Sequence, residues 1–222
     1  MDLPPLNPPC AIATEIRAWK APVTTALPAP APVPADSPAD SPATGDYRHR
    51  LRPSPAGWAR RSHWCVWVEP VQLSGPTAIW EQRWHQAVLD ALRTWQAELP
   101  ITLVSDPAQA QVLLQRRRPP ILNGRASHGR ALLQLLEVQR GGTWRLEPRV
   151  EVLISPGQAQ PAIQATALHE LGHAFGLWGH SDQAGDALAV KPAGPPVLTL
   201  SSRDQATMRW LQQQPALQQP DP

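Results

Sequence analysis

Proline fixes φ and removes a main-chain donor, so where it clusters neither a helix interior nor a sheet ladder can run. Thirteen of the 28 prolines in this chain lie before residue 56, set among alanine, serine and threonine with no sustained apolar period. The 222 residues therefore divide into a proline-rich arm, residues 1–57, expected to be extended or disordered, a domain over residues 58–214, and a tail, residues 215–222. Within the arm only Ala11 to Lys20 has the makings of regular structure, read as a helical turn or two.

Beyond the arm the apolar pattern changes period. Trp64 to Val68 is β-branched and aromatic and reads as a buried strand. Ile79, Trp80, Trp84, Val88, Ala91, Leu92, Trp95 and Leu99 recur at three and four, which predicts a long amphipathic helix whose tryptophans are core. Strands are predicted at 101–104, 111–115, 131–138, 144–146 and 149–154, with a hairpin turn at Gly141-Gly142. A second helix starts near Pro161 and buries Ile163, Ala167, Leu168, Leu171 and Phe175. A last helix is predicted from Ser202, whose spacing to Gln205 has the form of a capping box, to about Gln213. The class this order defines is α/β (α+β).

The second helix carries the chemistry, in the segment His169-Glu170-Leu171-Gly172-His173-Ala174-Phe175-Gly176-Leu177-Trp178-Gly179-His180. Residues four apart stand one turn above each other, so His169 and His173 project from one face and can clamp one zinc ion. Catalytic zinc takes three protein ligands and keeps a fourth place open. Gly176 can end the helix in the left-handed conformation and let the chain return His180 to the metal. Glu170 is then placed to act on a water at the open position. Asp182 and Asp186 are alternative third ligands, whereas glutamate is excluded because none occurs after Glu170.

This segment resembles the H-E-x-x-H-x-x-G-x-x-H pattern of the metzincin zinc peptidases, and among them the matrixins and their small bacterial relatives. Here Trp178-Gly179 places His180 four residues after Gly176, one more than in the pattern, and Gly179 is expected to be the flexible joint that absorbs the extra residue. The family's methionine turn below the metal has its counterpart at Leu188, a swap that nearly conserves volume. The resemblance implies a twisted, mostly parallel sheet packed on a long helix and the zinc-site helix, with a C-terminal helix. It also implies a zinc-dependent endopeptidase with His169, His173 and His180 as metal ligands, Zn2+ as cofactor, and Glu170 as the base that activates the water. The substrate would be a protein or peptide lying along an edge strand, for which Ala131 to Val138 is the candidate. The competing reading is a non-catalytic protein of the same fold that binds zinc structurally, with Asp182 or Cys10 as a fourth ligand, or binds a partner through its arm.

Formal charge is +2, and Arg60-Arg61 and Arg116-Arg117-Arg118 are short clusters outside any nucleic-acid-binding motif, so nucleic acid is not an expected partner. No apolar run approaches the ~20 residues of a membrane span. Met1-Asp2-Leu3-Pro4-Pro5 has none of the parts of a secretory signal, which leaves the compartment open. Two cysteines, Cys10 and Cys65, make no disulfide framework, and Cys10 reads as an idle thiol rather than a zinc-blocking one. His49, His63, His85 and His128 stand singly and read as surface or core residues.

Overall fold

The structure is a computed structural model that describes residues 10–20, 45–121, 127–190 and 194–217. In chain order the elements are β1 (Glu15–Ala18), β2 (Trp64–Val68), α1 (Ala78–Gln96), β3 (Ile101–Val104), β4 (Val112–Gln115), β5 (Gly129–Arg140), β6 (Thr143–Ile154), α2 (Gln160–Ala174) and α3 (Ser202–Gln212). The strands form one six-stranded sheet in the order β1-β5-β6-β4-β2-β3. The β2/β3, β2/β4 and β4/β6 pairs are parallel, and β5/β6 and β1/β5 are antiparallel. This is the mixed, mostly parallel α/β architecture expected. No helix among the described residues is long and apolar enough to cross a membrane.

Helices α1 and α2 pack together on the sheet because each buries one stripe. Trp84, Val88, Ala91, Leu92 and Trp95 of α1 are fully enclosed, as are Ile163, Ala167, Leu168 and Leu171 of α2. Two indoles are also satisfied as donors, which a buried tryptophan needs. Trp84 Nε1 donates to the Ile154 carbonyl at 3.2 Å, and Trp95 Nε1 donates to the Leu168 carbonyl at 3.0 Å. Ile79 and Trp80, expected in the buried stripe, are instead exposed, and Trp80 carries the Arg83 guanidinium over its ring. Ala78 and Glu81 take the inward positions of that first turn.

Three further expectations are corrected. The two strands predicted on either side of Pro148 are one twelve-residue strand, β6. Proline is tolerated there because β4 joins β6 only from Val150 onward, so at Pro148 the missing N–H faces a stretch with no strand beside it. The cap of α3 is Ser201 rather than Ser202: its hydroxyl accepts from the Asp204 N–H at 3.0 Å while Asp204 accepts from the Ser201 N–H. Ala11 to Lys20 contributes a strand, not a helical turn; Glu15 pairs with Gln139 and Ala18 with Leu136.

That strand is tied down by a disulfide the sequence did not signal. Cys10 and Cys65 are joined in a disulfide, so Cys10 is neither an idle thiol nor a zinc ligand. The beginning of the domain also lies earlier than residue 58. Tyr47 is completely buried and Leu51 nearly so, and the Tyr47 hydroxyl donates to Asp204 Oδ1 at 2.7 Å. The proline-rich stretch of residues 21–44 and most of the tail lie outside the described residues.

Candidate metal centre

Helix α2 presents His169 and His173 one turn apart, and the chain reverses at its end. Gly176 has φ of 108°, a conformation that strains any residue with a Cβ. A Cβ there would also meet the Ala59 carbonyl oxygen at 2.9 Å. The reversal is closed by main-chain bonds from Gly176 N to His173 O and from Leu177 N to Gly172 O, in the manner of a Schellman end. Gly179, expected as a flexible joint, has no left-handed φ. It is instead a point of close approach, where a Cβ would run into the Arg50 carbonyl.

The loop so formed returns His180 to α2 despite the additional residue. His173 Nε2 stands 3.2 Å from His169 Nε2 and 3.3 Å from His180 Nε2, and the three ligand atoms all lie within 4.8 Å of one another. Zinc–imidazole bonds of about 2.0–2.1 Å at tetrahedral angles set ligand nitrogens roughly 3.3 Å apart, which matches both separations. The outer nitrogens of the two helix histidines are engaged by carbonyls, which only accept. His169 Nδ1 donates to Ala187 O at 2.9 Å and His173 Nδ1 donates to Leu177 O at 2.7 Å. Each ring therefore carries its proton on Nδ1 and turns a bare lone pair inward through Nε2. Trp178 stacks on the His173 ring at 5.7 Å and 14°. The two helix histidines thus turn bare Nε2 lone pairs toward each other at 3.2 Å, a repulsive pairing that a cation between them would relieve.

Burial favours the neutral ligand form throughout. It pulls His173 down to about 3, His169 down to about 4, and His180 below the ordinary imidazole value. It pushes the neighbouring Glu170 carboxyl up to about 7, against the lowering effect of a hydrogen bond from the Ala131 main chain. Glu170 can lie there because residue 129 has no side chain. A Cβ on Gly129 would meet Thr166 Cγ2 at 2.5 Å and Glu170 Cγ at 2.6 Å.

The aspartates offered as alternative ligands are engaged elsewhere. Asp182 Oδ1 accepts from Arg203 at 2.9 Å and its Oδ2 pairs with Arg50 at 3.3 Å. Asp186 Oδ2 takes Arg203 at 3.1 Å and the Ser181 hydroxyl. Among the described residues the only other group with metal-ligating side chains is Cys10, His63 and Cys65, where the sulfurs are already bonded and His63 Nε2 meets Thr102 Oγ1 at 3.0 Å. Leu188 packs against α2; it is fully buried, and a Cβ on Gly172 would touch its Cδ2 at 2.6 Å.

Beside the three imidazoles opens a cavity of about 500 Å3. Ala162, Ala165, Val190, Pro195 and Val197 give it apolar walls, with Gln158 among its polar lining, and both His169 and Glu170 border it. Sequence reasoning did not identify the Ala131 main chain, the Ala187 and Leu177 carbonyls or Gly129 as parts of this site. Only the last had a visible signal, an isolated glycine at the start of a strand, which marks close backbone approach.

No protein-family model and no curated protein sequence matches this chain.

Proposed function

We propose that this protein is a zinc-dependent endopeptidase of metzincin, matrixin-like type, with His169, His173 and His180 holding the metal through Nε2 and Glu170 as the proton-transferring group. The observation that carries the reading is the convergence of three imidazole Nε2 atoms within 4.8 Å of one another, two of the separations at zinc spacing and both helix histidines held in the required tautomer by carbonyls. Zinc bound by three imidazoles supplies an acidified water and a Lewis acid for a carbonyl oxygen.

The chain's own groups supply the rest. The Glu170 carboxylate accepts a proton and returns it to the departing amine nitrogen, and its bond from the Ala131 main chain fixes its orientation between the two transfers. The apolar cavity takes one substrate side chain and excludes water around it. Strand β5 offers its main chain to an extended peptide, the arrangement that binds a polypeptide with little regard to its sequence. Both His169 and Glu170 border that cavity, which suits hydrolysis of a peptide bond better than a purely structural metal. With Cys10 in a disulfide and Asp182 paired to arginines, the described residues offer neither of the fourth ligands that a closed structural site was expected to use.

The test is metal analysis of the purified protein, paired with digestion of an unfolded protein substrate with and without a chelator. About one zinc per chain and chelator-sensitive cleavage that Glu170→Ala abolishes are expected. Zinc without cleavage in either form would assign the metal a structural role.

A further inference from the structure

We propose that β1, supplied by the chain's own N-terminal segment, blocks the upstream end of the β5 edge, so that the site takes peptides with only about three residues ahead of the place opposite Ala131. The inference rests on the peptidase reading and narrows it from internal bonds in general to those close to a peptide's N-terminus.

The register fixes which groups of β5 face the cleft. Trp19 N donates to Leu135 O at 3.2 Å on one side of β5, and Ser155 N donates to His128 O at 2.8 Å on the other. In an antiparallel ladder successive residues turn their main-chain groups to alternate sides. Odd-numbered residues of β5 therefore face the β1 side and even-numbered ones face β6. Beyond Leu135, no described strand pairs with residues 130–134 on the β1 side. Leu133 there offers both N–H and C=O, and Ala131 offers its C=O while its main chain also bonds Glu170.

Direction and length follow from β1 itself. It runs antiparallel to β5, with Glu15 opposite Gln139 and Ala18 opposite Leu136. A peptide that continues this ladder in the same sense has its N-terminal end against Trp19 and its C-terminal end toward Gly129 and the cavity. The place opposite Ala131 lies at the Glu170 carboxylate. Between it and Trp19, opposite Leu135, lie only the places opposite Leu132, Leu133 and Gln134, roughly 10 Å of strand. At the downstream end no described strand lies on the β1 side of β5, and the cavity opens beside Gly129.

The obstruction is anchored at several points. The Cys10–Cys65 disulfide ties it to β2. Thr14 N donates to Gln139 O at 3.0 Å, the Arg17 guanidinium lies 4.3 Å from the Trp144 ring centre, and Arg140 holds the Ala11 carbonyl. A longer upstream stretch must peel β1 from β5 or turn out of the ladder and lose its main-chain bonds.

The zinc-loaded full chain and its Arg17→Pro variant are compared on alanine peptides that share a leucine, two alanines and a C-terminal amide, with one to eight alanines ahead of the leucine. Proline at 17 removes an N–H from the β1/β5 ladder and keeps the disulfide. If that variant fails to fold by near-ultraviolet circular dichroism, Cys10→Ser, which releases the tether, takes its place. Both affinity, by displacement of a fluorescein-labelled member, and kcat/KM are read. In the wild-type protein both should rise with length to three or four upstream residues and then level off or fall. In the variant they should continue to rise, so that it binds the longest peptide about tenfold more tightly, the effect of one or two added ladder bonds. The same length optimum in both proteins, an unbroken rise in the wild type, or no binding to either overturns the proposal. Binding with the predicted length limit but no cleavage leaves the obstruction standing and removes the peptidase reading alone.

Discussion

Asp204 accepts the Ala187 N–H at 2.8 Å, and the carbonyl of the same Ala187 receives the His169 Nδ1 proton at 2.9 Å. A carboxylate on the C-terminal helix thus sets the orientation of an imidazole on α2 through one residue of the loop between them. Asp204 also takes the Tyr47 hydroxyl and the Ser201 N–H, so the cap of α3, a residue ahead of β2 and the candidate metal centre share one fully buried group. Asp204→Ala leaves those three donors unpaired. The expected cost is on the order of 3 kcal/mol in urea unfolding, with zinc affinity lowered about 10–100-fold in a competition titration against a chelator.

The third ligand is tested by substitution. His180→Ala should cost at least about 100-fold in zinc affinity, more than the loss of a supporting partner does. Asp182→Ala should leave affinity unchanged, because its carboxylate is held by Arg203 and Arg50 rather than turned to the imidazoles. Metal loss in the second variant and retention in the first would move the ligand to the aspartate.

Leu188 is a packing residue against the helix that carries His169 and His173. Leu188→Met, which nearly conserves volume, should change unfolding free energy by less than about 1.5 kcal/mol. Leu188→Ala should cost about 2–5 kcal/mol, since the side chain is fully buried against Gly172. The alanine variant should also bind zinc less tightly.

The Arg48 guanidinium and N–H hold the Asp46 carboxyl below the usual carboxylate range. A folded-state value below the unfolded one contributes stability that is present above pH ~4 and is lost as pH falls through the lowered value. Asp46→Asn should therefore destabilise the protein at neutral pH, by no more than about 1 kcal/mol for so exposed a partner as Arg48. The difference from wild type should shrink as pH falls below about 4, as urea titrations at pH 7 and pH 3 would show.

Local periodicity made much of this protein legible in its sequence. The spacing of Trp84, Val88, Leu92 and Trp95 specified the long helix, and the four-residue step from His169 to His173 specified a shared face, because both depend only on the 3.6-residue turn. Gly176 marked the end of α2 for an equally local reason. Periodicity said nothing where a distant partner decides the structure. Ala11 to Lys20 is a strand because β5 offers it an edge, and Pro148 lies inside a strand because β4 stops short of it. Cys10 and Cys65 are 55 residues apart in the chain, and nothing near either signals the other.

What the sequence determined by itself was therefore the inventory: two helix histidines beside a glutamate, the glycine that ends their helix, and the apolar stripes that bury them. Tertiary structure decided which nitrogen the two helix imidazoles turn inward, through carbonyls of Ala187 and Leu177, and which part of the β5 edge is covered by β1. Those choices rest on hydrogen bonds between residues remote in sequence, and a one-dimensional pattern carries no record of which main-chain groups the fold brings within 3 Å of each other.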